Sequence, residues 1–280
     1  MTHWQSGDIR VNGLTLHYTR TGGAKPPVVL AHGFSDDGLC WTPVAEALAA
    51  DYDVVMVDAR GHGRSAAPEQ GYGSADHATD LAGVIRALGL KRPAVLGHSM
   101  GAASTLVLAG MYPDLPRAIL LEDPPPWWIT AEAGVPLTRQ SPIRLGIIEL
   151  KRKTREELIA HARSGSPTWP EAELGPWADA KLRFSFNILT ADEPAAVDWP
   201  ATVRRITCPA LLITADPALG ALVTPESAAE LQALAPQMRI AHIAGAGHSI
   251  HREQFARAFS STPRADWGNP SGKYILRYKR

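Results

Sequence analysis

The chain has 280 residues with 28 basic and 28 acidic side chains, so its formal net charge is zero. This balance argues against a nucleic-acid or membrane-surface partner, and no apolar run approaches the ~18 residues of a membrane span. The first residues lack the basic and apolar regions of a signal peptide, and Cys40 and Cys208 form no Cys-x-x-Cys pair. We therefore expect a cytoplasmic protein without a disulfide framework or a zinc site.

The N-terminal half alternates short apolar runs with stretches of helical spacing. Residues 9–18 alternate apolar and polar side chains around Asn12-Gly13, which predicts a β-hairpin. Helical spacing at 41–50 and 74–88 predicts two helices. Continuous apolar runs are typical of strands buried on both faces of a parallel sheet, and they occur at 27–31, 53–58, 93–96 and 117–122.

The composition changes after residue 123. Residues 124–200 are rich in proline, tryptophan and charge, and they include a basic stretch at 151–163 that is interpreted as a helix. This segment carries too many large apolar residues to stay disordered, so it predicts a helical insertion. Strand-like runs at 210–215 and 238–244 resume the sheet, with a helix predicted at 224–234 between them.

Strands that alternate with helices predict an α/β fold with a mostly parallel, twisted sheet flanked by helices. The expected domains are a core of residues 1–123 and 201–280 and an inserted helical cap of residues 124–200. The tail at 264–280 lacks the apolar period of a closing helix, and no element is assigned to it.

Residues 97–101 read Gly-His-Ser-Met-Gly, after an apolar run and before the small, apolar stretch 102–109. This order of strand, turn and helix is the context of a G-x-S-x-G nucleophile elbow. The turn strains the serine backbone, so the residues packed beside it must be nearly free of side chain, as Gly97 and Gly101 are. Ser99 is therefore the predicted nucleophile, at a helix N-terminus that favours negative charge.

Functional residue types follow several predicted strands. Active groups in open α/β sheets gather at the carboxyl ends of the strands. Four such ends carry His32-Gly33-Phe34, Ser99, Asp216 and His248. The order Ser, Asp, His along the chain is the order of the α/β-hydrolase triad.

These motifs, together with Asp-Ala-Arg-Gly-His-Gly-Arg-Ser at 58–65, resemble the α/β-hydrolase superfamily over residues 8–259, in its capped esterase and lactonase-like branch. The resemblance implies the α/β-hydrolase fold with a helical cap. It also implies a serine hydrolase that cleaves a carboxylic ester or lactone through an acyl-enzyme on Ser99. Neither a cofactor nor a metal is expected, and the expected partner is a small apolar ester or lactone.

His248 is the expected general base, since His242 lies within the preceding strand and His251 lies beyond the strand-end loop. Asp216 is the expected acid that orients the imidazole, because it follows the strand that resembles the family's usual acid strand. Asp123 follows the strand before the predicted cap and remains the alternative.

An oxyanion hole needs two backbone donors near the attacked carbonyl. The residue after the nucleophile, Met100, supplies one N–H group, and the resemblance implies that Phe34 supplies the other. His32 is expected to brace this loop. Expected pocket residues, for which packing remains the alternative role, are His32, His98, Asp123, Trp127 and Trp128.

Two further classes of function stay open. Relatives with the same triad transfer acyl groups or hydrolyse carbon–carbon bonds, and others bind ligands without hydrolysis or with slow turnover. Serine rather than aspartate at the elbow disfavours the chemistry of epoxide hydrolases and haloalkane dehalogenases. The sequence does not indicate an oligomeric state.

Overall fold

The computed structural model describes residues 4–130, 142–192 and 195–260. Within these residues eight strands form one sheet, and their bounds are β1 Gln5–Val11, β2 Leu14–Arg20, β3 Pro27–Ala31, β4 Asp53–Val57, β5 Ala94–His98, β6 Ala118–Glu122, β7 Ala210–Thr214 and β8 Met238–His242. The strand order is β1-β2-β4-β3-β5-β6-β7-β8. β2 pairs antiparallel with both β1 and β4, and the other pairings are parallel.

The helices flank and interrupt this sheet. Their bounds are α1 Thr42–Leu48, α2 Ser74–Ala87, α3 Met100–Met111, α4 Trp127–Thr130, α5 Pro142–Leu150, α6 Arg155–Gly165, α7 Glu171–Arg183, α8 Asn187–Thr190, α9 Trp199–Arg204, α10 Pro225–Leu234, α11 Ile250–Glu253 and α12 Phe255–Ser260. Short 3₁₀ turns occur at Gly38–Trp41 and Pro217–Leu219. In the described residues no helix is long and apolar enough to cross a membrane.

The continuous apolar runs are strands buried on both faces. In β3, Val28 and Leu30 belong to the apolar cluster on one side of the sheet, and Val29 and Ala31 belong to the cluster on the other side. Covering both faces with helices is what parallel strands require. The α/β fold with a mostly parallel sheet is therefore confirmed, as is the antiparallel hairpin of β1 and β2.

Helices α4 to α9 lie between β6 and β7, where the sequence predicts an insertion. Its assignment as a separate cap domain stays a prediction. The helix predicted over 151–163 begins later, at Arg155, because Thr154 caps it and accepts a hydrogen bond from the Glu157 amide. The tail at 264–280 lies outside the described residues.

The turn between β5 and α3 is held by backbone that packs directly on backbone. Ser99 has φ 51° and ψ −117°, a conformation that costs a non-glycine residue about 1–3 kcal/mol. A Cβ at Gly97 would lie 2.3 Å from the Gly101 carbonyl oxygen, and one at Gly101 would lie 2.1 Å from the Ala31 carbonyl oxygen. Both glycines are therefore needed for close approach.

Replacing Gly101 with alanine should lower the free energy of unfolding by about 3 kcal/mol, because the new methyl group meets a strand carbonyl that cannot move aside. Urea unfolding monitored by circular dichroism measures this. Gly146→Ala on α5 is the control, since among the described residues no atom outside its own helix backbone and chain neighbours lies within 4 Å of the added Cβ. It should stabilise the protein by up to about 1 kcal/mol. Equal effects of the two substitutions would contradict the packing argument.

Candidate active site

Ser99, His248 and Asp123 form one chain of hydrogen bonds. The Ser99 Oγ atom lies 3.0 Å from His248 Nε2, and His248 Nδ1 lies 2.6 Å from Asp123 Oδ2. A carboxylate only accepts, so His248 carries its proton on Nδ1 and presents the Nε2 lone pair to the hydroxyl of Ser99. This is the geometry of a nucleophile, a base and an orienting acid.

Asp123 is held from three sides. It directly follows β6, and its side chain is 0% exposed. Its oxygens accept hydrogen bonds from the Leu222 and Val223 amides at 2.8 and 2.9 Å, in addition to the imidazole. Its φ of 41° is a left-handed backbone conformation, which only surrounding contacts of this kind maintain in a non-glycine residue. The carboxylate therefore has one fixed position beside His248.

Asp216 is not in contact with His248, and the expectation that it orients the imidazole is corrected in favour of Asp123. Asp216 accepts hydrogen bonds from His242 Nε2 at 2.9 Å and from the Gly245 amide at 2.7 Å. These bonds, the amide first, lower the pKa of Asp216, whose side chain is 34% exposed. The physical reason is the local hydrogen bonding. His242 and the Gly245 amide hold the Asp216 carboxylate, whereas Asp123 follows β6, the strand beside the elbow strand β5.

His98 is buried next to His248, and its predicted place in the substrate pocket stays a prediction. It is 4% exposed, and its Nε2 donates to the backbone carbonyl of His248 at 2.9 Å. Its ring centroid lies 4.7 Å from that of His248 and 5.1 Å from that of His251. Burial lowers the pKa of His98 to about 3, and the neighbouring histidines add to this against the opposing charge of Glu122. A neutral His98 therefore holds the main chain of the base.

Glu122 is a buried acid that the sequence analysis missed. Its Oε1 accepts from both the backbone amide and Nδ1 of His251, at 2.9 and 2.8 Å. Burial alone would raise the pKa of Glu122, but His251 and His98 lower it to about 2. The signal in the sequence was present, because Glu122 and Asp123 are two consecutive acids at the end of an otherwise apolar strand.

The loop after β3 lies directly beside the serine. A Cβ at Gly33 would lie 3.5 Å from the Ser99 Cβ atom. His32 braces this loop as expected, because its Nδ1 lies 2.8 Å from the Gly33 carbonyl oxygen and its Nε2 accepts from the Ala59 amide. Its ring is buried, and the expectation that His32 also lines the substrate pocket stays a prediction.

The two predicted oxyanion donors occupy suitable segments. Met100 is the first residue of α3, where backbone N–H groups have no acceptor within the helix. Phe34 follows Gly33 in the loop beside Ser99, and its ring packs edge-on against Phe184 of the inserted segment at 5.2 Å. Their joint role as an oxyanion hole stays a prediction.

Trp127 and Trp128 pack in the core instead of lining the site. Trp128 is buried and donates from Nε1 to the Ser227 carbonyl at 2.9 Å. The Trp127 ring lies 5.4 Å from that of Trp199, within the same apolar cluster. Their predicted pocket role is corrected to packing between the start of the insertion and helices α9 and α10. Across the described residues, no group of three or more His, Cys, Asp or Glu side chains is arranged to hold a metal ion.

Comparison with known proteins agrees with this architecture. The sequence profile of the alpha/beta hydrolase family matches residues 28–261. The chain belongs to the alpha/beta hydrolase family. Within this family, it is 30% identical over 250 residues to N-formylmaleamate deformylase of Pseudomonas putida. This alignment covers 87% of this chain and 90% of the relative. It is also 30% identical over 252 residues to a putative carbamate hydrolase of Enterobacter cloacae, which covers 81% and 85%.

Solved structures of this hydrolase family superpose over most of the chain. The N-formylmaleamic acid deformylase of Pseudomonas putida S16 has a TM-score of 0.75 at 25% identity and covers 90% of this chain and 97% of its own. An esterase from a Rhodococcus species has a TM-score of 0.74 at 24% identity and covers 93% and 97%. The second likeness concerns the fold alone. The relatives named here are therefore hydrolases, and they share the fold of this chain.

Three buried histidines should make the folded state of this protein less stable in mild acid. Burial, the largest cause in each case, lowers the pKa of His98 to about 3 and of His77 to about 4, and lowers that of His62 well below its usual value. Unfolded histidines have pKa values of about 6.5, so the unfolded state binds more protons below that pH. The free energy of unfolding should therefore fall as pH drops below about 6.5. The slope should approach ~1.4 kcal/mol per pH unit for each histidine.

His98→Gln keeps an N–H donor for the His248 carbonyl but cannot take up the proton. Urea unfolding at pH values from about 6.5 down to about 4.5 measures how the free energy of unfolding depends on pH. The slope should be shallower for this variant than for the wild type, by about the contribution of one histidine. An unchanged slope would show that His98 is not the neutral, buried group described above.

Proposed function

We propose that this protein is a serine hydrolase that attacks an acyl carbon with Ser99 and forms an acyl-enzyme. The observation that carries the proposal is the unbroken chain from Ser99 Oγ to His248 Nε2 at 3.0 Å and from His248 Nδ1 to Asp123 Oδ2 at 2.6 Å. A serine hydroxyl is a weak nucleophile at neutral pH and needs such an adjacent base. Its place at the start of α3, at the carboxyl edge of the sheet, supports the same role.

In the first half-reaction Ser99 Oγ bonds to the carbonyl carbon while its proton passes to His248 Nε2. The carbonyl π electrons move to oxygen, and the backbone N–H groups of Met100 and Phe34 are the proposed donors to that oxyanion. Asp123 accepts from His248 Nδ1 and stabilises the imidazolium that forms. When the intermediate collapses, the leaving group departs with the proton that His248 returns.

In the second half-reaction water replaces the leaving group. His248 Nε2 takes a proton from the water, whose oxygen attacks the acyl carbon bound to Ser99. Collapse of this second intermediate releases the carboxylic acid, and His248 returns the proton to Ser99 Oγ. The side chain of His248 is about one-third exposed, which leaves the water a path to Nε2. No further group is needed for this chemistry.

A carboxylic ester or lactone is the proposed substrate class. The aromatic contact of Phe34 with Phe184 beside the serine supports an apolar acyl or alcohol group. A second candidate is a small N-acyl compound. The two relatives that are 30% identical over most of both chains are named for a deformylase and a carbamate hydrolase, and both activities would use the same attack on an acyl carbon.

Labelling with a fluorophosphonate probe tests the proposed function. Wild-type protein should be labelled stoichiometrically on Ser99, because phosphonylation needs the same activated hydroxyl. Ser99→Ala should abolish labelling, and His248→Ala should slow it strongly. Intact-mass spectrometry and peptide mapping measure the adduct. A folded wild-type protein that remains unlabelled would favour a ligand-binding member of the family.

Asp123 and Asp216 form a matched pair for assigning the acid. Asp123→Asn should lower kcat for p-nitrophenyl acetate by about 10⁴-fold, because the amide no longer selects the productive imidazole tautomer. Asp216→Asn should leave kcat nearly unchanged, since Asp216 contacts the loop at Gly245 and not His248. Steady-state kinetics decide the assignment, and the reverse pattern would transfer the role to Asp216.

A substrate series distinguishes the two candidate classes. The series comprises p-nitrophenyl acetate, a five-membered lactone, an aryl formamide and an aryl carbamate, each compared with Ser99→Ala at equal concentration. Ester and lactone turnover above the variant supports the first class. Turnover of the formamide or carbamate alone would move the assignment to the N-acyl class.

A further inference from the structure

A cluster of buried ions joins three parts of the chain next to the triad. Residues 33–37 form a loop, the 33–37 loop, which contains both Phe34 and Asp36. The Asp36 Oδ1 atom accepts from Lys181 Nζ at 2.7 Å, and Oδ2 accepts from Arg252 Nη2 at 2.9 Å. All three charged side chains are at least nine-tenths buried. The cluster therefore ties the 33–37 loop both to the inserted helix α7 and to helix α11.

Arg252 follows His248 by four residues and completes the cluster. Its Nε donates to Glu173 Oε2 on α7 at 3.2 Å, and its guanidinium lies 4.6 Å from the ring centroid of Trp169. Glu173 is buried as well. Two acidic and two basic side chains are thus buried together. Helix α7 supplies one of each, Glu173 and Lys181.

The cluster is ionic. Burial alone would raise the pKa of Asp36, but the charges of Arg252 and Lys181 lower it well below its usual value. A buried ion that loses its partner is strongly destabilising, so the four groups depend on one another. If the cluster had only a structural role, any arrangement of these four side chains that balances their charges would be sufficient.

One contact goes beyond charge balance. Lys181 Nζ also donates to the Ser35 carbonyl oxygen at 2.9 Å. Ser35 has φ 62°, a left-handed conformation, and its own amide donates to His62 Nε2 at 3.2 Å. The peptide groups on both sides of Ser35 are therefore anchored, one by His62 and the other by Lys181. Phe34 is the residue immediately before this anchored turn.

We propose that Lys181, which the inserted helix α7 carries into the core, is a positioning residue that orients the 33–37 loop and thereby the Phe34 amide toward the oxyanion. This role rests on the proposed function. The inserted segment is then part of the catalytic apparatus as well as a cover, because one of its side chains shapes the donor loop. Lys181 touches neither the substrate nor the reacting atoms.

Lys151 provides a matched control. It is also a lysine whose ammonium group donates to backbone carbonyls, but its acceptors are the main-chain oxygens of Lys181, Leu182 and Phe184 at the end of α7, at 3.2, 3.0 and 2.5 Å. None of its hydrogen bonds to the described residues reaches the 33–37 loop. Lys151→Met therefore loosens the insertion without removing the Ser35 contact.

The test measures the rate of fluorophosphonate labelling, and kcat and KM for p-nitrophenyl acetate, in folded wild type, Lys181→Met and Lys151→Met. Lys181→Met should lower kcat and the labelling rate by ~10²-fold with KM little changed, as expected when an oxyanion donor is misplaced. The pH at which labelling is half-maximal should stay the same, because the contact of His248 with Asp123 is intact. Lys151→Met should retain the wild-type labelling rate.

The double variant Asp36→Asn with Lys181→Met separates positioning from charge balance. It removes one charge of each sign, so it should recover thermal stability relative to Lys181→Met while kcat stays low. It also provides the measurement if Lys181→Met does not fold. Recovery of kcat together with stability, or wild-type labelling in Lys181→Met, would overturn the positioning role while leaving the proposed function intact. An unlabelled wild type would instead overturn both.

Discussion

The contact of backbone with backbone around Ser99 is the constraint on which the rest of the site depends. Because Gly97 and Gly101 have no side chains, α3 begins immediately after β5 and passes against the carbonyl oxygen of Ala31. The serine then has only a strained backbone conformation available, and its amide bonds to the Glu122 carbonyl of the neighbouring strand. The hydroxyl is consequently presented at the carboxyl edge of the sheet, where the loops that follow β3, β6 and β8 meet it.

The neighbouring strand β6 ends in two acids that hold two histidines. Asp123 bonds to the imidazole of His248, and Glu122 bonds to His251, while His98 supports the His248 main chain from below. Burial lowers the pKa of His98 to about 3, so this support places no positive charge beneath the His248 imidazole. His248 is thus held through its ring by Asp123 and through its backbone carbonyl by His98.

The inserted segment reaches this site by electrostatics as well as by apolar packing. Phe184 packs against Phe34, and Lys181 and Glu173 form ion pairs with residues on either side of the triad. Such buried pairs add little net stability compared with apolar packing, but removing one partner would leave an uncompensated charge in the core. In this chain the inserted segment is thus connected to the loop that lies beside Ser99.

The sequence by itself determined what is local: the strands from their continuous apolar runs, the elbow from two glycines around Ser99, and His248 from a strand-end loop. Tertiary structure alone decided which acid meets His248, because Asp123 and Asp216 both follow parallel strands, and only strand order brings β6 beside the elbow strand. The ion cluster of Asp36 and Lys181 was likewise hidden, since its partners are 145 residues apart. Local sequence patterns predict secondary structure because they reflect interactions between residues that are close in the chain. A contact between distant residues depends instead on how separate elements pack.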